Sequence, residues 1–147
     1  MSEFIARNSL DFIVGDVSRL LRHGLEELIG EAQLQITPGE FRMLHEITFR
    51  GPERQCDLAA VMGVEPMTVS ALLVRMEQRK LITRIPDPED RRAKLIASTA
   101  TGRDLLEKVK LLAQEVIAHA TRGLGPAETR NAEAALHRMR MNLVAGW

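Results

Sequence analysis

The chain of 147 residues holds one cysteine, Cys56, one tryptophan, four phenylalanines and no tyrosine. A single thiol excludes an intramolecular disulfide and fits a reducing, cytoplasmic setting. With aromatics at 3%, the core has to come from Leu, Ala, Val, Met and Ile, a palette that favours helices. No apolar run approaches the roughly 20 residues of a membrane-spanning helix. No signal peptide is expected ahead of the first helix, and no membrane partner. Charge of one sign is also missing, because 20 Lys and Arg balance 20 Asp and Glu. Catalytic signatures are lacking as well: there is no glycine-rich phosphate loop, nucleophile elbow, HExxH pattern or Cys–His pairing. His23, His45, His119 and His137 lack metal-ligand spacing. Neither an enzyme nor a cofactor is expected.

What is present is a hydrophobic content of 45%, enough for the core of one domain or of a small module with a dimerisation element. Residues 9–34 place Phe12, Ile13, Val17, Leu20, Leu21, Leu25, Leu28 and Ile29 on one broad helical face. Thr37-Pro38-Gly39-Glu40 is a capping box with proline in the first turn, and predicts a helix through Phe49 that Arg50-Gly51-Pro52 stops. A short helix over Gln55–Met62 ends at Gly63, and another runs from Glu65-Pro66 to about Arg79. Two further helices follow, one after Thr99 with Leu105, Val109, Leu112 and Val116 on a face, one opened by Pro126 with Leu136, Met139 and Leu143. Their length and leucine content, around so small a central module, favour an interface between two copies over ordinary core.

Between those helices lie Leu81–Ile85 and Ala93–Ala97, short and rich in branched residues, joined by Pro86-Asp87-Pro88-Glu89-Asp90-Arg91-Arg92. This reads as a hairpin with a stiff, proline-braced loop and adjacent arginines near its tip. Charge is unevenly placed around it. Residues 75–94 carry seven basic side chains (Arg75, Arg79, Lys80, Arg84, Arg91, Arg92, Lys94) against four acidic ones (Glu77, Asp87, Glu89, Asp90). Residues 1–50 carry five basic against eight acidic. DNA affinity built on so modest an excess would be moderate and salt-sensitive. Upstream, Leu58, Ala59, Met62, Gly63, Val64, Val69, Leu72, Leu73 and Met76 form the shared core of a helix-turn-helix. The outer face of its second helix displays Pro66, Met67, Thr68, Ser70, Ala71, Val74 and Arg75, where such a motif meets the major groove of double-stranded DNA.

Residues 36–106 resemble the winged-helix core of the MarR family of transcriptional regulators. The stretches that carry the resemblance are Thr37 to Leu44, Asp57-Leu58-Ala59, Thr68-Val69-Ser70, Leu81 to Arg84, and above all Asp87-Pro88-Glu89-Asp90-Arg91-Arg92-Ala93-Lys94-Leu95 with Thr99 and Gly102. The resemblance implies a mainly α fold with a small β-hairpin wing, flanked by dimerisation helices in residues 1–36 and 101–147 around a core of 37–100. It implies a homodimer that binds an operator, usually as a repressor, and often release by a small molecule. It assigns DNA contact to Thr68, Ser70 and Arg75 on the second helix and to Arg92 on the wing; Arg84 and Arg91 are further candidate DNA contacts on the hairpin. Arg92 matches the arginine that enters the minor groove, and Asp90 the carboxylate that orients nearby basic side chains. An effector site is implied between core and dimerisation helices. There Arg19, His23, Arg42 and His45 would be polar anchors and Phe41 or Phe49 an apolar wall, suiting a small aromatic or phenolic acid.

Five positions depart from the family pattern. Pro66, Met67 and Ala71 stand where polar or basic residues are common, so bidentate base recognition is thin, and contact with thymine methyls plus DNA shape must do more. Lys80 stands where the helix exit usually has glycine, and Ser98 replaces an apolar residue. The apolar second helix and the zero net charge keep a second reading open: a dimeric winged-helix interaction protein without sequence-specific DNA binding.

Overall fold

The structure is a computed structural model that describes residues 9–146. Its helices are α1 (Leu10–Glu31), α2 (Pro38–Arg50), α3 (Gln55–Met62), α4 (Pro66–Gln78), α5 (Ala100–Ala120) and α6 (Pro126–Ala145). Between α4 and α5 lies one antiparallel hairpin, β1 (Ile82–Pro86) and β2 (Lys94–Ser98). The architecture is mainly α with a β-hairpin wing, as the sequence predicts. No single helix among the described residues is long and apolar enough to cross a membrane.

Local chemistry sets the boundaries. At the start of α2 the Thr37 hydroxyl accepts from the Glu40 amide at 3.1 Å and the Glu40 carboxylate accepts from the Thr37 amide at 3.0 Å, the full capping box. Gly63 ends α3 in the left-handed region at φ 59°, and α4 departs at 117° to α3. The first helix is shorter than the expected 9–34, because Gln33 turns left-handed at φ 56° and closes it at Glu31. Each strand also starts one residue later than read from the sequence. The Leu81 amide is engaged by the Met76 carbonyl at the exit of α4, so pairing begins with Ile82 opposite Ser98. The Ala93 amide turns back to the Asp90 carbonyl, so the second strand begins at Lys94. Lys80 does take the unusual turn, at φ 59°.

The helix-turn-helix core forms as predicted. Leu58, Ala59, Met62, Val69, Leu73 and Met76 are buried, with Val64 and Leu72 packed against them. Met43, Leu44 and Ile47 of α2, Ile82 and Ile96 of the hairpin, and Leu106 and Val109 of α5 complete one continuous core. A backbone bridge between Glu53 and Ile96, at 2.7 and 3.2 Å, adds a one-residue third strand to the hairpin. Gly102 lets α5 start hard against the hairpin: a β-carbon there would sit 2.1 Å from the Leu81 carbonyl oxygen. The outer helices are different in kind. Helix α6 has no buried residue, and the first half of α1 leaves Leu10, Phe12, Ile13, Val14, Val17 and Leu20 exposed.

Candidate nucleic-acid interface

Helix α4 is apolar on its inner face and carries an apolar stripe on its outer one. Its inner residues Val69, Leu73 and Met76 lie fully in the core, which forces the outer stripe to solvent. Met67 is 85% exposed and Val74 48%, and Pro66, Thr68, Ala71 and Arg75 are exposed with them. Ser70 is half-buried. Pro66 occupies the first helical position, where its missing N–H costs nothing.

The wing is fastened to this helix pair at two places. Arg54, the residue that precedes α3, donates from Nε at 2.9 Å and from Nη2 at 2.7 Å to one carboxylate oxygen of Asp87. The other Asp87 oxygen accepts from the Glu89 amide at 2.9 Å. That amide and the Arg54 guanidinium together hold the Asp87 carboxyl below the ordinary aspartate range. The second fastening is Arg84 of β1, which donates to Glu77 of α4 at 2.8 Å and to Gln55 of α3 at 3.2 Å. Arg84 thus ties strand to helix, a role that competes with direct contact to DNA. At the tip, the Asp90 carboxylate accepts from the Arg92 amide at 2.9 Å and shapes the turn. Arg91 and Arg92 are exposed at this tip.

Arg75 is not free either. Glu40, only 3% exposed, faces both Arg75 at 3.5 Å and Arg79 at 2.7 Å. Burial pushes the Glu40 carboxyl up, but the Arg79 hydrogen bond, the Thr37 amide and the charge of Arg79 together outweigh it. The net effect holds the group below the ordinary glutamate value. Neither the Glu40 cluster nor the Arg54–Asp87 pair was read from the sequence. The one available signal was Arg75 and Arg79 at i, i+4 spacing, which puts both on one side of α4.

The five expected effector residues do not line one cavity. Arg42 faces a groove of about 1040 Å³ between α1, α5, α6 and the core, with Arg22, Val17, Met62, Leu72 and Leu136 among its walls. His23 faces a different groove, between α1 and α5, and lies 3.4 Å from Glu27. Arg19 pairs with Asp16 at 3.3 Å on the open side of α1. Phe41 and His45 form a ring series with Phe49 along α2, with centroids 6.4 and 6.2 Å apart. Sequence spacing could place these residues on helices but could not say which faces meet. Arg22, absent from the expected set, is the second cation at the groove of Arg42. Cys56 is exposed, with its sulfur 3.9 Å from Asp57.

A helix pair at 117°, an exposed second helix and a hairpin latched beside it define a winged helix-turn-helix protein. Residues 36–94 match the model of the MarR family. Residues 36–94 are thus similar to the MarR family's domain, and the described fold is that of solved MarR structures. It is 29% identical over 82 residues to the transcriptional repressor NicR of Pseudomonas putida, a match covering 56% of this chain and 52%, about half, of that relative's length. Among solved structures it is similar to a mutant of Escherichia coli MarR complexed with operator DNA, with a TM-score of 0.78 and 23% identity over 88% of this chain and 92% of that one. It is also similar to Bordetella bronchiseptica BpsR, a protein whose DNA binding is regulated by 6-hydroxynicotinic acid. There the TM-score is 0.79 and the identity 23%, over 91% of this chain and 94% of that one.

Proposed function

We propose that the protein is a homodimeric repressor of MarR type, which binds an operator through α4 and the wing and is released by a small aromatic acid. The observation that carries this reading is the double latch, Arg54 to Asp87 and Arg84 to Glu77 and Gln55. It fixes an arginine-tipped loop beside an exposed helix. A helix of this diameter fits the major groove, and an arginine held to one side reaches the narrow minor groove, whose negative potential attracts it. Thr68 and Ser70 offer hydroxyls, Arg75 a cation for phosphate, and Pro66, Met67 and Ala71 close apolar contact. The dimer rests on α1 and α6, whose exposed Leu10, Val14, Leu136 and Leu143 are apolar surface that a second copy would cover.

The effector site in this reading is the large groove with Arg22 and Arg42, apolar walls with cations at hand for a carboxylate. It touches α4 through Thr68 and Leu72, so a bound ligand can bear on the reading helix. Two measurements test the proposal. Selection of tight binders by the full chain from a random-sequence duplex pool, at two salt concentrations, should enrich one partly symmetric sequence. If nothing outcompetes the pool, the repressor reading fails and the interaction-protein reading, which the apolar face of α4 favours, takes its place. Calorimetry against a panel of phenolic and aromatic acids, with 6-hydroxynicotinic acid included, should find a ligand that weakens operator binding. A panel with no response would remove the effector.

A further inference from the structure

The reading face of α4 is chemically unusual for a helix that meets base edges. Residues 65–74, Glu-Pro-Met-Thr-Val-Ser-Ala-Leu-Leu-Val, contain no Arg, Lys, Asn, Gln or His. Guanine is read by paired donors from Arg or Lys, and adenine by the amide of Asn or Gln, so this stretch can make neither pairing. The exposed stripe is Met67, Ala71 and Val74, at i, i+4 and i+7, within about 60° of arc on a helix of 3.6 residues per turn. It extends for roughly 10 Å along the axis, about three base-pair steps of 3.4 Å. At the leading end the exposed Glu65 carboxylate can only accept, so it cannot bind the N7 and O6 acceptors of guanine. Arg75 follows the stripe directly on α4, and Arg91 and Arg92 are exposed at the wing tip, cations that suit a polyanion. One chemical group in the major groove complements an apolar side chain, the C5 methyl of thymine.

We infer that α4 selects its operator by packing Met67, Ala71 and Val74 against thymine methyl groups, rather than by hydrogen bonding to purine edges. This inference rests on the repressor reading above and names what that reading recognises. Met67 is long, flexible and the most exposed of the three, so it reaches furthest toward the groove floor. Ala71 is short and lets the helix axis approach, and Val74 closes the stripe. Operator half-sites should accordingly carry adjacent thymines, on either strand, where α4 lies.

The test uses the full chain and the duplex enriched by selection. Thymines in each half-site are replaced one at a time by deoxyuracil, which removes only the methyl and leaves base pairing and the minor groove unchanged. Each methyl that α4 packs against should cost about fourfold in affinity, the worth of one buried carbon. In Met67→Ala the uracil effect should vanish at one position and persist at the others. Replacing guanines by 7-deazaguanine, which lacks the N7 acceptor, should change affinity little. Uracil duplexes that bind as tightly as the parent, with 7-deazaguanine duplexes that fail, would overturn the inference and leave the repressor reading standing. A pool from which no sequence is enriched would overturn both.

Discussion

Two single residues show where backbone geometry, not side-chain character, decides the outcome. Gly102 is needed because any β-carbon would collide with the Leu81 carbonyl, the atom that also accepts from the Thr99 amide at 3.1 Å. Backbone cannot step aside as a flexible side chain can. Gly102→Ala is expected to destabilise the fold by about 3 kcal/mol, measured as a lower urea midpoint at unchanged m-value. Lys80 is the opposite case, a side chain held at φ 59° where glycine would rest. Lys80→Gly is expected to stabilise by about 1 kcal/mol, the relief of the left-handed penalty less the added freedom of the unfolded chain. A lower midpoint would show that the lysine makes a contact worth more than the strain. Gly63 and Lys80 were legible at this scale, since a helix exit asks for a left-handed residue. Gln33 was not, because nothing in Ala32-Gln33-Leu34 marks a turn more strongly than a continuing helix.

Elements were legible where a cap or a breaker fixes them and blurred where pairing does. The capping box, Gly63 and Pro126 placed helix ends within a residue, whereas both strands moved by one because neighbouring amides were already taken by the helix exit and the loop. The wing latch was invisible, since Arg54 and Asp87 are 33 residues apart and nothing in sequence links them. It nevertheless governs the wing. The carboxylate of Asp87 is the form that the Glu89 amide and Arg54 bind, so its pKa is lower in the folded than in the unfolded chain. The latch is therefore complete above the ordinary aspartate range and is lost as pH falls through the lowered folded value. Asp87→Asn should speed amide exchange at Glu89 and Ala93 at neutral pH and abolish its acid dependence. The same variant should weaken operator binding severalfold while leaving the oligomeric state unchanged. Equal exchange in parent and variant would mean that the prolines alone hold the loop. At the tip, Arg92→Ala is expected to lose about 1–3 kcal/mol of operator binding if the arginine makes a specific contact. An unchanged affinity would assign minor-groove reading to Arg91.

At the scale of the whole molecule, the apolar spacing of the outer helices was readable but their partner was not. A pattern such as Leu136, Met139 and Leu143 says that a helix face seeks cover, and says nothing of whether cover comes from the same chain. The fold answers half of that question. Helix α6 spans 20 residues without one buried side chain, whereas helices in proteins draw most of their stability from packing an apolar face. In the proposed dimer that cover comes from a second copy, and the exposed first half of α1 is apolar surface of the matching kind. The groove that holds Arg22 and Arg42 has α6 as one wall and Thr68 and Leu72 of α4 at another, so the proposed effector site would adjoin both the proposed dimer helices and α4. Two consequences can be measured together. The parent chain should show a melting temperature that rises with protein concentration, as expected when association and folding are linked. The double variant Leu136→Glu and Leu143→Glu places charges on exposed apolar positions of α6, so it should sediment as a monomer and lose helical signal in circular dichroism equivalent to α6. The core of α2 to α5 should remain folded, because neither leucine is buried there. Operator affinity should fall far more than a change at a single contact would cause, since each copy then reaches only one half-site. A variant that stays dimeric, or a monomer that keeps full affinity, would separate DNA reading from dimerisation and place the interface elsewhere.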